Sequence, residues 1–208
     1  MILLVFAVAG AAAGKARAWH GGRRLASPDL RHAWLVPLAL IPQGIAFFVP
    51  ATRHGVPRDM AAAALVSSQV LLLLFAWHNR QHASFRMMGI GLTLNLLVIA
   101  LNGGLMPISP QTASWLVPSR PESAWLVGER LGGTKDIVLP ATATRLPWLS
   151  DRFILPAPTP WRAAFSLGDV FIGAGAFHLL GALGREPPGI EKDMIGSSLS
   201  SQMMPVEQ

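Results

Sequence analysis

Asp169 is the acidic residue best placed for a function, because it lies three positions after Ser166 at the start of an apolar segment. This spacing predicts a capping box, in which both side chains pair reciprocally with backbone N–H groups at a helix N-terminus. Two other roles are open to Asp169. It can form an ion pair with Arg145 or Arg152, partly shielded by Trp148, that locks a loop to the helices. It can also relay protons, as acids within a membrane often do.

Three histidines are the candidate ligands of a metal or a pigment. His78 and His82 are four residues apart near the end of an apolar segment, so they share a helix face and could ligate a metal or a haem. The dipole at a helix C-terminus also favours histidine there. His178 could bind haem or bacteriochlorophyll, or it could hydrogen-bond a backbone carbonyl, Gln69 or Asn95. We predict no metal site and no resident cofactor, and these ligand roles are the alternatives.

Polar side chains interrupt three apolar segments and outline a second candidate site. Gln43 follows Pro42, whose ring predicts a helix kink, and Gln69 and Asn95 lie within the next two segments. A cavity between these segments would suit an apolar ligand such as a quinone or a lipid.

The Asn102-Gly103-Gly104 run lies where one of these segments must end. Asn and Gly tolerate the left-handed conformation that caps helix C-termini, so the run predicts a helix cap. The alternative is that two glycines let a ligand or another chain approach the backbone closely.

The remaining composition argues against catalysis. The chain has no cysteine and no tyrosine, so thiolate, disulfide and phenol chemistry are excluded. It also lacks a nucleophile–base pair, a phosphate-binding loop and a carboxylate dyad. An enzyme is therefore the less favoured class.

The elements that must position these residues are apolar helices. Of the 208 residues, 51% are apolar and only 13% are charged, whereas soluble domains carry about a quarter charged residues. The basic residues punctuate apolar segments instead of forming one stripe, which excludes a nucleic-acid partner and predicts a multi-pass membrane protein. We expect an all-α fold with about five transmembrane helices, over residues 1–14, 33–49, 60–77, 85–101 and 165–183.

This pattern predicts the domain organisation. Residues 1–101 would form a four-helix membrane region, 102–162 a long extracytoplasmic loop, 163–184 the fifth helix and 185–208 a polar cytoplasmic tail. Trp115 and Trp125 lie in a weak internal repeat, so we expect the loop to be a partly ordered cap with short interfacial helices. Arginine and lysine are denser in the first and third connections, which places the N-terminus outside and the C-terminus in the cytoplasm.

Three motifs carry a family resemblance. They are Asn-Gly-Gly-Leu-Met-Pro at residues 102–107, Thr-Arg-Leu-Pro-Trp-Leu-Ser-Asp at 144–151 and Phe-Ser-Leu-Gly-Asp-Val at 165–170. Together they resemble an uncharacterised family of small bacterial multi-pass membrane proteins, a domain of unknown function. The resemblance implies a bacterial inner-membrane protein with several spans, and it brings no activity, cofactor or catalytic residue.

Two functions follow as hypotheses. The first is a non-catalytic accessory subunit of a larger bacterial membrane complex, such as a respiratory or photosynthetic electron-transfer assembly. Its partners would be other membrane subunits and the lipid bilayer, and the small residues Gly10 and Gly14 would pack against another helix. The alternative is a small membrane enzyme or carrier for an apolar ligand such as a quinone or a lipid.

Overall fold

The structure, a computed structural model, describes residues 2–20, 29–155 and 162–182. The described part is mostly helical, and all helices but one lie over the five apolar segments. The predicted tail, residues 185–208, lies outside the described residues. The helices are α1 Ile2–His20, α2 Leu35–Gln43, α3 Arg58–His78, α4 Ala83–Leu101, α5 Pro110–Leu116 and α6 Leu167–Ala182.

Two helices, α3 and α4, are long and apolar enough to cross a membrane. Burial covers only 22% of the most apolar window of α3 and 39% of that of α4. A core helix of a soluble protein would bury most of its apolar residues. Large side chains such as Leu74 and Ile90 instead point outward, which indicates association with a membrane.

Small residues let three helices pack closely. Gly10 and Gly14 of α1 lie against the backbone of Phe177 and Leu180, so α1 and α6 run parallel. Gly91 of α4 lies against α6 in the opposite direction, near its first turn. Because a side chain at any of these positions would collide with the neighbouring backbone, the small-residue face is used within the chain.

Helix α2 changes its winding after a proline, where a kink is predicted. Pro42 lies inside the helix, and residues Gly44–Phe48 continue it as a π-helix that ends at Val49. The Val49 N–H donates to the Gly44 carbonyl at 3.0 Å. Proline removes one backbone donor and clashes with the preceding turn, and a π-helical turn is one way a helix absorbs this disruption.

Between α4 and α6 the chain forms the cap, which contains short strands as well as helix. Strand β1, Met106–Ile108, pairs in parallel with β2, Asp136–Val138, and β3, Phe153–Ile154, pairs antiparallel with β4, Ala164–Phe165. The all-α expectation is therefore incomplete. Strands this short depend on distant pairing partners, which leave no periodic signal in the sequence.

The two Trp-bearing stretches of the cap adopt different structures. The first lies in α5, whose start is capped by Ser109 accepting from the Thr112 N–H at 3.1 Å. The second forms only a 3₁₀ turn, Glu122–Ala124, and Trp125 is extended. Trp125 is buried and donates from Nε1 to Ser114 Oγ at 3.0 Å. The prediction of a second interfacial helix is therefore wrong, because the Trp125 side chain packs against α5.

Candidate functional site

Asp169 forms hydrogen bonds instead of the predicted ion pair. Its Oδ2 accepts from the Ser166 N–H at 3.1 Å, and Ser166 Oγ accepts from the Asp169 N–H at 3.1 Å, so both bonds of the capping box are present. Oδ1 accepts from Asn95 Nδ2 at 3.0 Å. Neither Arg145 nor Arg152 is among the described salt bridges. The predicted Asp169–arginine lock is therefore wrong, because the local backbone and Asn95 already satisfy the carboxylate.

A side chain on α4 provides the lock between loop and helices. Asn102 caps α4, accepts from the Arg145 N–H at 2.9 Å and donates to the Arg145 carbonyl at 2.9 Å. Gly103 and Gly104 follow with φ of 82° and 85°, as the predicted cap requires. Trp148 is 52% exposed, so it shields no ion pair.

The cap contains a charge cluster that the sequence did not predict, in which two buried carboxylates face a half-buried lysine. Lys135 Nζ lies 2.5 Å from Asp151 Oδ2 and 3.1 Å from Asp136 Oδ1. Burial raises the pKa of the Asp151 carboxyl to about 7, against the opposing effect of Lys135. Burial also disfavours the charged amine, but the two carboxylates outweigh this and raise the pKa of Lys135. One amine facing two carboxylates ties β2 to the turn at residues 147–151.

The three candidate histidines lie in separate contacts. His178 Nδ1 pairs with Ser84 Oγ at 2.7 Å, a partner that sequence reasoning did not consider. His78 Nδ1 donates to the Leu74 carbonyl at 2.8 Å and its ring packs edge-on against His32, while His82 precedes α4. Within the described residues, no three metal-binding side chains come together. Haem or bacteriochlorophyll ligation stays an alternative to the prediction of no resident cofactor.

The polar residues expected to line one cavity are used in different contacts. Gln43 Nε2 donates to Ser68 Oγ at 2.5 Å, which joins α2 to α3. Asn95 pairs with Asp169 and accepts from Ser166 Oγ at 2.8 Å, which joins α4 to α6. Gln69 is buried with Oε1 unpaired among the described residues. Gln43 and Asn95 therefore connect neighbouring helices, and the space that could hold a ligand lies elsewhere.

That space is a groove of about 490 Å³ between the second half of α3 and the first half of α4, which we call the α3–α4 groove. Its walls are apolar, with Leu73 and Trp77 on one side and Ile90 on the other. A Cβ at Gly89 would meet only Ala76, at 3.9 Å. The missing side chain therefore leaves the groove open.

Basic residues surround one end of the groove. Arg80, in the turn after α3, and Arg86, in the first turn of α4, line both the groove and an adjoining polar pocket of about 520 Å³. Arg31 and His78 also line this pocket. An apolar channel leading to clustered guanidinium groups can hold an amphiphile, with its chain in the groove and its polar end at the arginines.

Another cavity, of about 390 Å³, lies in the cap beside Arg152. Two hydroxyls that line it already donate to backbone carbonyls: Thr144 to Pro140 at 3.0 Å and Ser150 to Pro147 at 2.6 Å. These hydroxyls support the local turns, so this cavity is a weaker candidate than the α3–α4 groove.

The match to a protein family covers all of these features. The sequence model of DUF5317, a family of unknown function, matches residues 28–180. The chain belongs to the DUF5317 family. The resemblance to an uncharacterised family is thereby confirmed. No curated protein and no solved structure matches this DUF5317 chain.

The groove of this DUF5317 chain was not predicted from its sequence. Arg80 and Arg86 belong to the third connection and entered the prediction only through its density of arginine and lysine, and Gly89 was assigned no role. The available signal was a glycine one helical turn from an arginine, beside a hairpin of two apolar helices. That signal is weak without knowledge of which faces of α3 and α4 meet.

Proposed function

We propose that this protein is a non-catalytic, multi-pass protein of the bacterial inner membrane that binds a membrane lipid in the α3–α4 groove. The groove itself carries the proposal. It is apolar, opens beside the exposed Trp77 and Ile90, and ends at Arg80 and Arg86. If the groove held only water, its apolar walls would be unfavourably hydrated, whereas a lipid chain would cover them.

The direction of the helices supports a five-span topology. Residues Gly10 and Gly14 follow α6 in parallel, α4 opposes α6, and the α3–α4 hairpin reverses direction over a short turn. Helices α1, α3 and α6 thus run in one direction and α4 in the other, as five spans require when α2 crosses between α1 and α3. We place Arg31, Arg80 and Arg86 on the cytoplasmic side and the cap outside, because arginine and lysine are denser in the short connections at the arginine-lined end of the groove.

The size of the groove suits one lipid chain. Along α4 the groove extends from Arg86 to Leu94, a separation of eight residue steps, which corresponds to about 12 Å along the helix axis. The volume of about 490 Å³ lies within the usual range of ligand sites. A headgroup would then lie level with the arginines.

Lipid retention tests the proposal. The full chain, purified in a mild detergent, should keep bound lipid in native mass spectrometry. Gly89→Leu places a side chain in the groove and should reduce the retained lipid several-fold, with Gly89→Ala in between. Gly44→Leu is the matched control, because a Cβ at Gly44 meets nothing within 4 Å and Gly44 lies outside the groove.

Two results would contradict a lipid site in the groove. One is a wild-type protein that retains no lipid under conditions in which it stays folded. The other is equal retention by the wild type, Gly89→Leu and Gly44→Leu, with unchanged thermal midpoints. That second result would place any bound lipid elsewhere on the helices.

A role as an accessory subunit is the second candidate, and one surface favours it. Leu126 and Val127 are neighbours in the cap and are 71% and 68% exposed. Adjacent exposed apolar residues in a region outside the bilayer suit a contact with another subunit. Gly10 and Gly14 no longer support this role, because α6 covers them. Replacing both exposed residues with Ser should release any native assembly, and a monomer without co-purifying subunits in the wild type would contradict it.

A further inference from the structure

The arginines at the end of the α3–α4 groove have no carboxylate partners in the described part of the chain. The described salt bridges all lie in the cap, at Arg120 and Lys135. Asp29, close to Arg31 in sequence, pairs with none of the three arginines that line the polar pocket. Among the described residues, that pocket therefore presents positive charge without a compensating carboxylate, which attracts an anion.

A buried amide brings Arg31 to this pocket from a distant part of the chain. Asn79, which is fully buried at the end of α3, donates from Nδ2 to the Arg31 carbonyl at 2.9 Å. Its Oδ1 accepts from the Arg31 N–H at 2.9 Å. A third hydrogen bond, from Nδ2 to the Phe75 carbonyl, fixes the orientation of the amide. Asn79 is therefore a positioning residue for Arg31.

The guanidinium groups of Arg80 and Arg86 are each oriented by one hydrogen bond. Arg80 stacks over the Trp77 ring at 4.3 Å and donates from Nη1 to the Trp77 carbonyl at 3.1 Å. Arg86 donates from Nη1 to the Arg80 carbonyl at 3.3 Å. Since each guanidinium has five N–H donors, most of them stay available to a ligand.

The chemistry of this end selects the headgroup. A guanidinium presents a planar fork that matches two phosphate oxygens, and several such forks suit a phosphate better than a single carboxylate. Within the part of the chain that the structure describes, no acidic side chain lines the pocket to meet the cation of a zwitterionic headgroup. Basic pockets at the cytoplasmic ends of membrane helices bind anionic lipid headgroups.

We propose that the lipid in the α3–α4 groove is an anionic phospholipid, whose phosphate is held by Arg31, Arg80 and Arg86. This inference rests on the proposed function, since it names the ligand class of the same groove. The chain of the lipid lies along Leu73 and Gly89, and the phosphate lies at the arginine end. A lipid of the same leaflet supplies this phosphate, because the apolar groove adjoins the pocket.

Competition between lipids tests the headgroup assignment. The full chain is incubated with equal amounts of phosphatidylglycerol and phosphatidylcholine of matched chains, and adducts are counted by native mass spectrometry. We expect a preference for phosphatidylglycerol of about tenfold or more, given the usual gain per arginine. Arg80→Gln with Arg86→Gln leaves only Arg31 at the pocket and should reduce the preference several-fold while adducts of both lipids persist. Arg53→Gln, at the other end of α3, is the matched control and should keep it.

The outcomes separate this inference from the proposed function. Lipid retention that depends on Gly89 but shows no headgroup preference would overturn the anionic assignment alone. The same holds if the double arginine variant keeps the preference or if a fatty acid competes equally with phosphatidylglycerol. Stabilisation by inorganic phosphate equal to that by phosphatidylglycerol would overturn the assignment to a lipid. Loss of all lipid retention in the wild type would instead contradict the proposed function.

Discussion

The backbone of Arg145, and not its guanidinium, holds the cap on the helices. Its N–H and carbonyl each pair with the side chain of Asn102 at 2.9 Å. A backbone contact of this kind is insensitive to the Arg145 side chain. It depends instead on the amide at position 102, whose Nδ2 also donates to the Val98 carbonyl at 2.8 Å.

A pair of alanine variants tests this residue-level lock. Asn102→Ala leaves two backbone groups of Arg145 without partners and should lower the free energy of unfolding by about 1–3 kcal/mol. Arg145→Ala should change it by less than about 0.5 kcal/mol. Thermal unfolding, with protease cleavage within the cap as a second readout, distinguishes them. Equal losses would show that the Arg145 side chain matters.

Residue-level prediction from the sequence worked where partners are close along the chain. The capping box of Ser166 and Asp169 follows from their spacing of three. The partner of the Asp169 Oδ1 atom, Asn95, is far away in sequence, so no local pattern could identify it. The expected arginine partners were chosen by proximity in sequence, which did not decide the contact.

At the level of elements, the charge cluster between β2 and the turn before β3 should make the cap sensitive to pH. The pKa of Asp151 is 3.8 when unperturbed and about 7 in the folded cap. The folded state therefore binds a proton more tightly than the unfolded state. The protonated Asp151 carboxyl therefore stabilises the folded cap fully below about pH 4, and this stabilisation is lost as the pH rises through about 7.

The prediction is that the cap loses stability between about pH 4 and pH 7. Lys135 stays charged throughout this window, because the pKa of its amine is raised. Asp136 and Asp169 also face the cluster, and both disfavour a third negative charge there. Asp151→Asn should flatten the pH dependence of the stability of the cap. Thermal midpoints from Trp fluorescence at several pH values measure it, and a midpoint that rises with pH in the wild type would contradict the raised pKa.

The elements themselves were predictable to different degrees. Helices α3 and α4 follow from long apolar stretches between charged turns. The change of winding in α2 follows from Pro42, although the sequence does not specify a π-helix. Strands β1 and β2 have three residues each and pair across nearly thirty residues, so their existence depends on tertiary contacts.

At the scale of the whole molecule, charge is distributed unevenly between the two ends. The described ion pairs lie in the cap, while the arginines at the α3–α4 turn have no acidic partners among the described residues. The sequence predicts the basic character of the α3–α4 turn, which helped to orient the helices, but it does not predict where the ion pairs lie. It cannot predict the groove, because the groove depends on which faces of α3 and α4 meet around Gly89.

A crystal structure of the full chain grown in a lipid mesophase tests the central claim most directly. We predict elongated density of about 12 Å along the α3–α4 groove, past Gly89, with the polar end at Arg80 and Arg86. A groove closed by direct packing of Trp77 and Ile90 across Gly89 would contradict the claim that this protein binds a lipid there.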